Sequence, residues 1–398
     1  DCRWLFIAQG INKGVVDIPQ GQEVQITLYG EYSPLLYNTL DGSIRPAEYQ
    51  IKNGLTTIKA TLFEHDSLLF KLCADGAKAP AAQDKTVFGQ KKKEIIFGDL
   101  LPYKCSEPNV LLLDMAEYAF DDGAFQPEEE ILRADNLFRD ALGWPARGNS
   151  VAQPWVIEPE TITHHITLRF TIDSEITVSS PVLAIEDAES VKITLNGEPT
   201  PSRVTGYYVD ESIKTVALPA LQVGKNTLTV TIPFGKRTST EWCYLLGDFG
   251  VRVQGRKKII QKPFDKIGFG SITDQGMPFY GGNITYQAEF ETDDGNVTIH
   301  APQYRGSLIG VELDGKRAGV IAYSPYTINL RDVPAGKHSI CFTLFGNRYN
   351  SFAALHNADL KEAWAGPNLW KTQGDKWCYE YRLKEMGILS SPVIEIYE

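Results

Sequence analysis

The sequence lacks long hydrophobic runs and closely spaced cysteine pairs. No apolar stretch approaches the roughly 18 residues that a membrane-spanning helix needs, so we expect no membrane partner. The six cysteines are scattered without a Cys-x-x-Cys pair, which indicates neither a zinc site nor a disulfide framework. Stretches such as Trp242-Cys243-Tyr244 favour buried, reduced thiols. Together with the lack of a signal peptide, this favours a cytoplasmic location.

The motifs of common catalytic sites are also missing. The sequence contains no Gly-x-Ser-x-Gly, His-Glu-x-x-His, Walker-type or Rossmann glycine pattern. It shows no alternation of strands and helices that would build a (β/α) barrel. With 50 acidic residues, chance pairs of carboxylates identify no glycosidase-type site. We therefore predict no catalytic residue and no cofactor; a structural calcium ion is left open, since no ligand spacing requires one.

The charge balance argues against a nucleic-acid partner. The formal net charge is -11, and phosphates would repel such a chain unless it carried a local basic stripe. The densest basic runs are Lys91-Lys92-Lys93 and Arg256-Lys257-Lys258. Both are expected to be solvated linkers between modules.

Strand patterns dominate what is present. "EVQITLYG", "GLTTIKATLF" and "DSLLFKL" alternate apolar and polar residues between Gly, Pro and Asp clusters, which is typical of half-buried antiparallel strands. Residues 1–75 are therefore predicted to form a small antiparallel β-domain. The chain opens inside a strand pattern, as an excised fragment would. Residues 76–150 are predicted to be a linker and a helix-containing segment that packs on the following domains.

One helix is predicted over residues 127–143. Pro127 suits the first helical position, the glutamates that follow it suit the positive end of the helix dipole, and Gly143 suits the terminator. Ile131, Ala134 and Phe138 fall on one face. Consecutive glutamates diverge around a helix, and His164-His165 would face opposite sides of a strand, so neither group predicts a metal site.

The second half of the chain contains an internal repeat. Residues 191–198 (VKITLNGE) match residues 309–316 (IGVELDGK), and residues 218–226 (LPALQVGKN) match residues 330–338 (LRDVPAGKH). Asn-Gly and Asp-Gly close tight hairpins, and each Gly-Lys turn leads into a long strand. Residues 151–262 and 263–398 are therefore predicted to be two tandem sandwiches of one design.

The repeat resembles the galactose-binding-like jelly roll, which accompanies many glycoside hydrolases. Nearly the whole chain is similar to the C-terminal parts of large bacterial glycosyl hydrolases, in the stretches "RWLFIAQ", "NVLLLDMAEY", "EWCYLLGDFGV", "GMPFYGGNITYQAEF" and "GNRYNSFAALHN". The resemblance implies a mostly β chain that follows a catalytic barrel of the same polypeptide. Those barrels usually place their acid/base in an Asn-Glu pair, which this chain lacks. The implied role is to support that barrel and to bind carbohydrate.

Proteins bind sugars with aromatic rings that stack on the sugar C–H faces and with polar side chains that form hydrogen bonds to the hydroxyls. These two residue types define the candidate carbohydrate-binding residues. They are Trp242, Tyr244, Tyr280, Tyr304, Arg305, Asn347, Arg348, Asn350, His356, Trp364 and Trp370. For each of them, packing in the core or rigidification of a loop is the alternative. Two other functions remain open: an independent carbohydrate-binding or adhesion module, and a self-sufficient β-sandwich glycosidase or lyase.

Overall fold

The fold is mostly β and consists almost entirely of antiparallel sheets, as the sequence predicts. It is described here from a computed structural model. The structure describes residues 2–11, 14, 17–39, 42–74, 88–98, 100–146, 161–238, 240–293, 295–359, 371 and 374–398. No helix within these ranges is both long and apolar enough to cross a bilayer.

The elements follow one another in chain order. The N-terminal domain contains β1 (Cys2–Ala8), β2 (Gln22–Tyr29), β3 (Ser33–Tyr37), β4 (Ile44–Pro46), β5 (Glu48–Lys52), β6 (Leu55–Leu62) and β7 (Ser67–Cys73). The next strands are β8 (Lys91–Ile96), β9 (Tyr103–Cys105), β10 (Asn109–Leu113), β11 (Met115–Phe120) and β12 (Gln126–Glu130), followed by helix α1 (Ile131–Ala141).

The two sandwiches follow. The first contains β13 (His164–Ser174), β14 (Val182–Glu186), β15 (Lys192–Leu195), β16 (Glu198–Thr200), β17 (Val204–Tyr208), β18 (Asp210–Ala217), β19 (Gly224–Phe234), β20 (Cys243–Gly247), β21 (Gly250–Gln254) and β22 (Lys257–Gln261). The second contains β23 (Ile284–Thr292), β24 (Gly295–His300), β25 (Tyr304–Arg305), β26 (Leu308–Leu313), β27 (Lys316–Ile321), β28 (Thr327–Val333), β29 (Gly336–Phe345), helix α2 (Tyr349–Phe352), β30 (Gly387–Ile388) and β31 (Val393–Tyr397).

The N-terminal domain packs two small sheets, ordered β1-β7-β3-β4 and β2-β6-β5. Alternating residues of β6 and β7 point inward and form its core, which centres on Ile58, Phe70 and Leu72. Strand β1 lies at the edge of its sheet and pairs with β7.

The two larger sandwiches share the order of the following paired strands, except that β17 of the first has no counterpart in the second. One sheet is ordered β11-β13-β19-β15-β16 in the first sandwich and β9-β23-β29-β26-β27 in the second. The facing sheets are β10-β20-β14-β18-β17 and β8-β31-β24-β28. Long central strands, β13 with β19 and β23 with β29, pair along their full lengths in both copies.

Equivalent turns use equivalent hydrogen bonds. Asn196 and Asp314 both have positive φ, 52° and 50°, and each is followed by a glycine with positive φ. The Asn196 side chain accepts from the Thr227 backbone N–H at 2.8 Å, and the Asp314 side chain accepts from the Ser339 backbone N–H at 2.9 Å. Each turn is thus fastened to the long strand beside it.

A second equivalent pair lies one residue earlier on each long strand. The Asn226 side chain bonds Asn196 and donates to the carbonyl of Gln222 at 2.7 Å. In the second copy the His338 ring bonds Asp314 and the carbonyl of Pro334, at 2.7 and 2.9 Å. The repeat therefore preserves a bonding pattern across different side chains.

Residues 88–141 are shared between the two sandwiches. Strands β8 and β9 join sheets of the second sandwich, while β10, β11 and β12 join sheets of the first. The chain consequently enters the second sandwich, crosses into the first near residues 106–108, and returns through residues 262–283. These two crossings position the candidate site described below.

Helix α1 lies where a helix is predicted but begins four residues after Pro127. Residues 126–130 form strand β12 instead, because Glu129 and Glu130 pair with β11. The Glu130 side chain then caps the helix by accepting from the Arg133 backbone N–H. Ile131, Ala134 and Phe138 are buried on one face, as expected.

The two basic runs are not linkers, which corrects the sequence-based expectation. Lys91-Lys92-Lys93 opens β8, and Lys257-Lys258 opens β22. The side chains of β8 remain largely exposed at an outer strand of their sheet. Lys258 instead points inward and pairs with a buried carboxylate.

Candidate functional site

A buried polar cluster joins the C-terminal segment to the first sandwich. At its centre Asp114, between β10 and β11, is fully buried. One carboxylate oxygen accepts from Lys258 Nζ at 2.5 Å and from the Tyr381 hydroxyl at 2.7 Å, and the other lies 2.8 Å from His356 Nε2. His356 Nδ1 faces the Cys378 carbonyl at 2.9 Å. We call these residues the Asp114 cluster.

The charges of the Asp114 cluster balance one another. Burial alone would raise the pKa of Asp114, but the Lys258 ammonium and the bond to His356 hold it well below its usual range. Burial and the adjacent Asp114 carboxylate raise the pKa of Tyr381 far above its ordinary value. Asp114 therefore stays ionised and Tyr381 stays a neutral donor.

Glu130 lies beside the Asp114 cluster and is also fully buried. Its carboxylate accepts from the Trp242 indole N–H at 2.6 Å and from the Arg133 backbone N–H at 3.0 Å. Burial nevertheless raises the pKa of Glu130 to about 7, and the nearby Asp114 charge adds to the rise. Because both carboxylates are closed off from solvent, their position fits a structural junction and not a substrate site.

The accessible candidate site is a cleft of about 570 Å³ at the junction of the two sandwiches. Its walls come from the two chain crossings, from the β17–β18 hairpin and from the β20–β21 turn. Its lining residues include Tyr103, Glu107, Tyr207, Asp248 and Phe264. We call this the inter-sandwich cleft.

The inter-sandwich cleft presents exposed rings beside free polar groups. Tyr207 is 59% exposed and Phe264 is 46% exposed. The side chains of Asp248 and Ser180 are exposed and have no hydrogen-bond partner among the described residues. Val209, on the same wall, has φ +64°, a strained conformation for a β-branched residue. The cleft thus combines apolar faces with acceptors that a ligand can use.

Fixed hydrogen bonds hold the walls of the cleft in place. Asn109 donates to the carbonyls of Phe249 and Gly276, at 2.7 and 2.8 Å, and so bridges both crossings. The Tyr103 hydroxyl donates to the Phe264 carbonyl at 3.0 Å. Burial and the charge of Asp248 raise the pKa of Tyr103, which keeps this phenol neutral.

An ion pair holds one of the acidic residues that line the cleft. Arg348 donates to the Glu107 carboxylate through both terminal guanidinium nitrogens, with Nη2 at 2.6 Å from Oε2. Arg348 belongs to the second sandwich, and Glu107 lies in the first crossing. The Arg348 guanidinium carbon also lies 5.7 Å from the centre of the Tyr208 ring. The carboxylate of Glu107 is therefore committed to a structural contact.

Five of the nine sequence-predicted binding residues that the structure describes lie away from solvent. Trp242, Tyr244, Tyr280, Asn350 and His356 are buried. Tyr244 belongs to strand β20 and not to a loop, and it packs against Tyr208. In this conformation the buried rings offer no face on which a sugar could stack from solvent. Trp364 and Trp370 lie outside the described residues.

The remaining predicted residues make structural contacts. Arg305 forms a two-pronged ion pair with Asp17, at 2.8 and 3.1 Å, which ties the N-terminal domain to the second sandwich. The Tyr304 hydroxyl lies 3.4 Å from the Ala322 carbonyl. Asn347 is exposed and accepts from the Tyr349 backbone N–H. None of the predicted residues that the structure describes lines the inter-sandwich cleft, although Arg348 and Tyr244 contact Tyr208 in its wall.

The cleft residues were missed because they lie in separate connections of the chain. The available signals were the adjacent aromatics of "GYYVDES", which end a strand, and the acidic turn of "GDFGV". Asp114 had its own signal, a single acid directly after the apolar run "VLLL". No group of three or more His, Cys, Asp or Glu residues in the described ranges is arranged to hold a metal ion.

Comparisons with known proteins give distant similarities. No family model matches the chain, and no curated protein sequence matches it. A rhamnosidase from Novosphingobium sp. PP1Y is similar over 99% of this chain and 25% of its own, at 11% identity and a TM-score of 0.37. An α-L-rhamnosidase from Streptomyces avermitilis, complexed with L-rhamnose, is similar over 99% of this chain and 39% of its own, at 11% identity and a TM-score of 0.23.

A third solved structure is similar over a smaller part. It is a GH2 β-galacturonidase from Eisenbergiella tayi bound to galacturonate, with 20% identity over 37% of this chain and 22% of its own, and a TM-score of 0.20. This chain spans a quarter of the length of the first rhamnosidase. All three structures are glycoside hydrolases. Similarities at these TM-scores assign no function to this chain.

Proposed function

We propose that the chain is a non-catalytic accessory region of a glycoside hydrolase and that its inter-sandwich cleft binds carbohydrate. The observation that carries the proposal is the exposed pair of rings, Tyr207 and Phe264, beside the free Asp248 carboxylate. Aromatic faces cover the C–H surfaces of a sugar, and a carboxylate accepts hydrogen bonds from its hydroxyls. The resemblance of the sequence to accessory sandwiches of such enzymes supports the same role.

The dimensions of the cleft suit a short saccharide. Small-molecule sites usually enclose about 300–1,000 Å³ and combine mainly apolar walls with few polar groups. The cleft of about 570 Å³ fits that description, with Val182, Leu246 and Met277 among its apolar lining residues. Asp248 gives it negative charge, which favours a neutral sugar over an acidic one.

Binding of neutral oligosaccharides, measured by isothermal titration calorimetry, tests the proposal. Tyr207→Ala removes one ring face and is expected to weaken binding about five- to tenfold, since a stacked aromatic face contributes about 1–1.5 kcal/mol. Tyr29→Ala is the matched control, because Tyr29 is 92% exposed on β2 of the N-terminal domain. No binding across a broad sugar panel, or equal loss in both variants, would contradict the proposal.

The lining of the cleft supports binding without catalysis. Glycoside hydrolysis needs two carboxyl groups at the scissile bond. The two acids that line the cleft are Glu107 and Asp248, and Glu107 is held by Arg348. We therefore expect no turnover of aryl glycosides by the isolated chain. Hydrolysis that disappears in Asp248→Asn would instead support a self-sufficient glycosidase.

The N-terminal domain has an exposed apolar face. This face favours the proposal that a catalytic domain of the same polypeptide is the binding partner of the chain. On strand β1, Trp4 is 57% exposed and Phe6 is 62% exposed, and Tyr37 lies 5.0 Å from Trp4 on the same sheet. Contiguous exposed apolar residues usually mark an interaction surface. We propose that a catalytic barrel packs on this face.

Co-purification tests the barrel contact. The polypeptide encoded upstream in the same reading frame, expressed separately, should bind this chain and should lose binding to a Trp4→Ser, Phe6→Ser variant. Tyr29→Ser serves as the exposed-aromatic control. An upstream sequence without a barrel would favour the alternative, an independent carbohydrate-binding or adhesion module.

A further inference from the structure

We propose that Cys2 and Cys73 are a thiol pair that oxidises to a cross-strand disulfide through exchange with a small disulfide such as oxidised glutathione. The two residues are direct partners in the register of β1 and β7. Directly opposed residues of antiparallel strands have Cα atoms about 4.5–5.5 Å apart, which is within the range that a disulfide spans.

The side chains of the pair already meet. Both residues are free thiols, and their sulfur atoms are in contact at 2.7 Å. Among the described residues, the other cysteine sulfurs make no contact with a cysteine; Cys105, for example, contacts the Met277 sulfur at 3.8 Å. The proximity of Cys2 and Cys73 is therefore specific to this strand pair.

The two thiols differ in their exposure to solvent, and this difference determines which of them reacts first. Cys2 is exposed, whereas Cys73 is buried. Contact with the Cys2 thiol, together with burial, raises the pKa of Cys73. The Cys2 thiolate is thus the group that reaches a disulfide in solution, and Cys73 is the group that resolves the mixed disulfide.

The exchange is balanced in two steps. The Cys2 thiolate attacks one sulfur of oxidised glutathione, forms a mixed disulfide and releases one glutathione thiolate. The Cys73 thiolate then attacks Cys2 Sγ and releases the second glutathione. The two protons lost by the protein thiols end on the two glutathione molecules, so the protein is oxidised by two electrons and the oxidant is reduced by two.

The disulfide would fasten an edge strand. The two cysteines are 71 positions apart, and the bridge therefore closes a loop that includes every strand of the N-terminal domain. Closing so long a loop restricts the unfolded chain strongly. Strand β1 also carries Trp4 and Phe6, so oxidation would fix the strand that displays the exposed apolar face.

Intact-mass measurement and peptide mapping of the full chain, after incubation with oxidised glutathione and an acid quench, test the pair. We expect a loss of two hydrogen atoms and a peptide linked through Cys2 and Cys73. Cys73→Ala should instead gain one glutathionyl group on Cys2, and Cys2→Ser should leave Cys73 unmodified. Cys105→Ser, which removes another exposed thiol, should still form the cross-link.

Hydrogen exchange provides a second readout. The β1 amides should exchange at least about tenfold more slowly in the oxidised chain, and a reducing agent should reverse the effect. A wild-type chain that keeps a stable glutathionyl group on Cys2, without a link to Cys73, would overturn the proposal. A cross-link that leaves β1 exchange unchanged would confirm the disulfide and contradict the proposed restriction of strand β1.

Discussion

At the scale of single residues, the stability of the junction depends on a few buried charges. Asp114 neutralises Lys258 and is bonded to His356 and Tyr381 inside a fully buried site. Removing one partner of such a group leaves the others charged and without compensation. Lys258 lies on β22, whereas His356 and Tyr381 lie on the chain that follows helix α2. Asp114 therefore joins β22 to this C-terminal part of the chain.

Asp114→Asn is expected to lower the free energy of unfolding by about 3–5 kcal/mol, because it leaves the Lys258 ammonium buried without a counter-ion. Urea denaturation measures the change. Asp122→Asn is the matched control, since the Asp122 side chain is fully exposed and should change stability by less than about 0.5 kcal/mol. Equal stability of the two variants would show that the Asp114 cluster does not hold the junction.

We expect Glu130 to make the free energy of unfolding depend on pH. The sign is opposite to that of an ordinary paired carboxylate, whose pKa is lowered in the fold. Its pKa is about 7 in the fold and ordinarily 4.5, so the protonated form is favoured on folding. The resulting stabilisation is complete below pH 4.5 and is lost as the pH rises through 7. Glu130→Gln should remove this dependence, which amounts to about 3 kcal/mol between pH 4.5 and 8. Denaturation curves of both proteins across that range check it; parallel pH profiles would contradict it.

At the scale of elements, the repeat could be predicted because its turns are coded locally. Asn196-Gly197 and Asp314-Gly315 need positive φ, and few residue pairs other than these supply it. The strands that flank them alternate by burial, so the sequence could predict strands on both sides of each turn. The start of α1 could not be predicted, since Pro127 suits a helix locally and pairing with β11 decides otherwise.

His338 predicts a pH response in the second sandwich that the first sandwich lacks. The bonds to Asp314 and to the Pro334 carbonyl raise the pKa of His338 above 6.5. The stabilisation is therefore present below pH 6.5 and is lost as the pH rises through the higher pKa in the fold. The first copy has Asn226 at this position, which does not titrate.

His338→Asn tests this response by placing the first sandwich's residue in the second. We expect the variant to be about 1 kcal/mol less stable than the wild type at pH 5.5, because it loses charge-assisted hydrogen bonds, and closer to it at pH 9. Urea denaturation at the two pH values measures the difference. A difference that is constant with pH would contradict the prediction.

At the scale of the whole molecule, the cleft exists because the chain crosses twice between the sandwiches. Glu107 comes from one crossing and Phe264 from the other, while Tyr103 lies on strand β9 and Tyr207 on a hairpin of the first sandwich. Strand patterns predict each sandwich separately and contain no information on how two sandwiches dock. Among the described aromatics that the sequence singles out, Trp242, Tyr244 and Tyr280 are buried in cores and junctions, whereas the exposed Tyr207 and Phe264 line the cleft.

The ion pair across the junction predicts coupling between the sandwiches. Arg348→Ala breaks the contact with Glu107 and should loosen the part of the cleft wall that Glu107 forms. We expect a loss of about 1–3 kcal/mol in the free energy of unfolding and weaker carbohydrate binding, even though Arg348 does not line the cleft. Arg252→Ala, which removes an exposed pair with Glu175, is the control. Loss of stability with unchanged binding would separate the junction from the site.

A crystal structure of the chain with a bound neutral oligosaccharide tests the central claim most directly. We predict sugar density in the inter-sandwich cleft, with one ring against Tyr207 or Phe264 and a hydroxyl bonded to Asp248. Sugar bound on another face of the molecule, with the cleft empty, would contradict it.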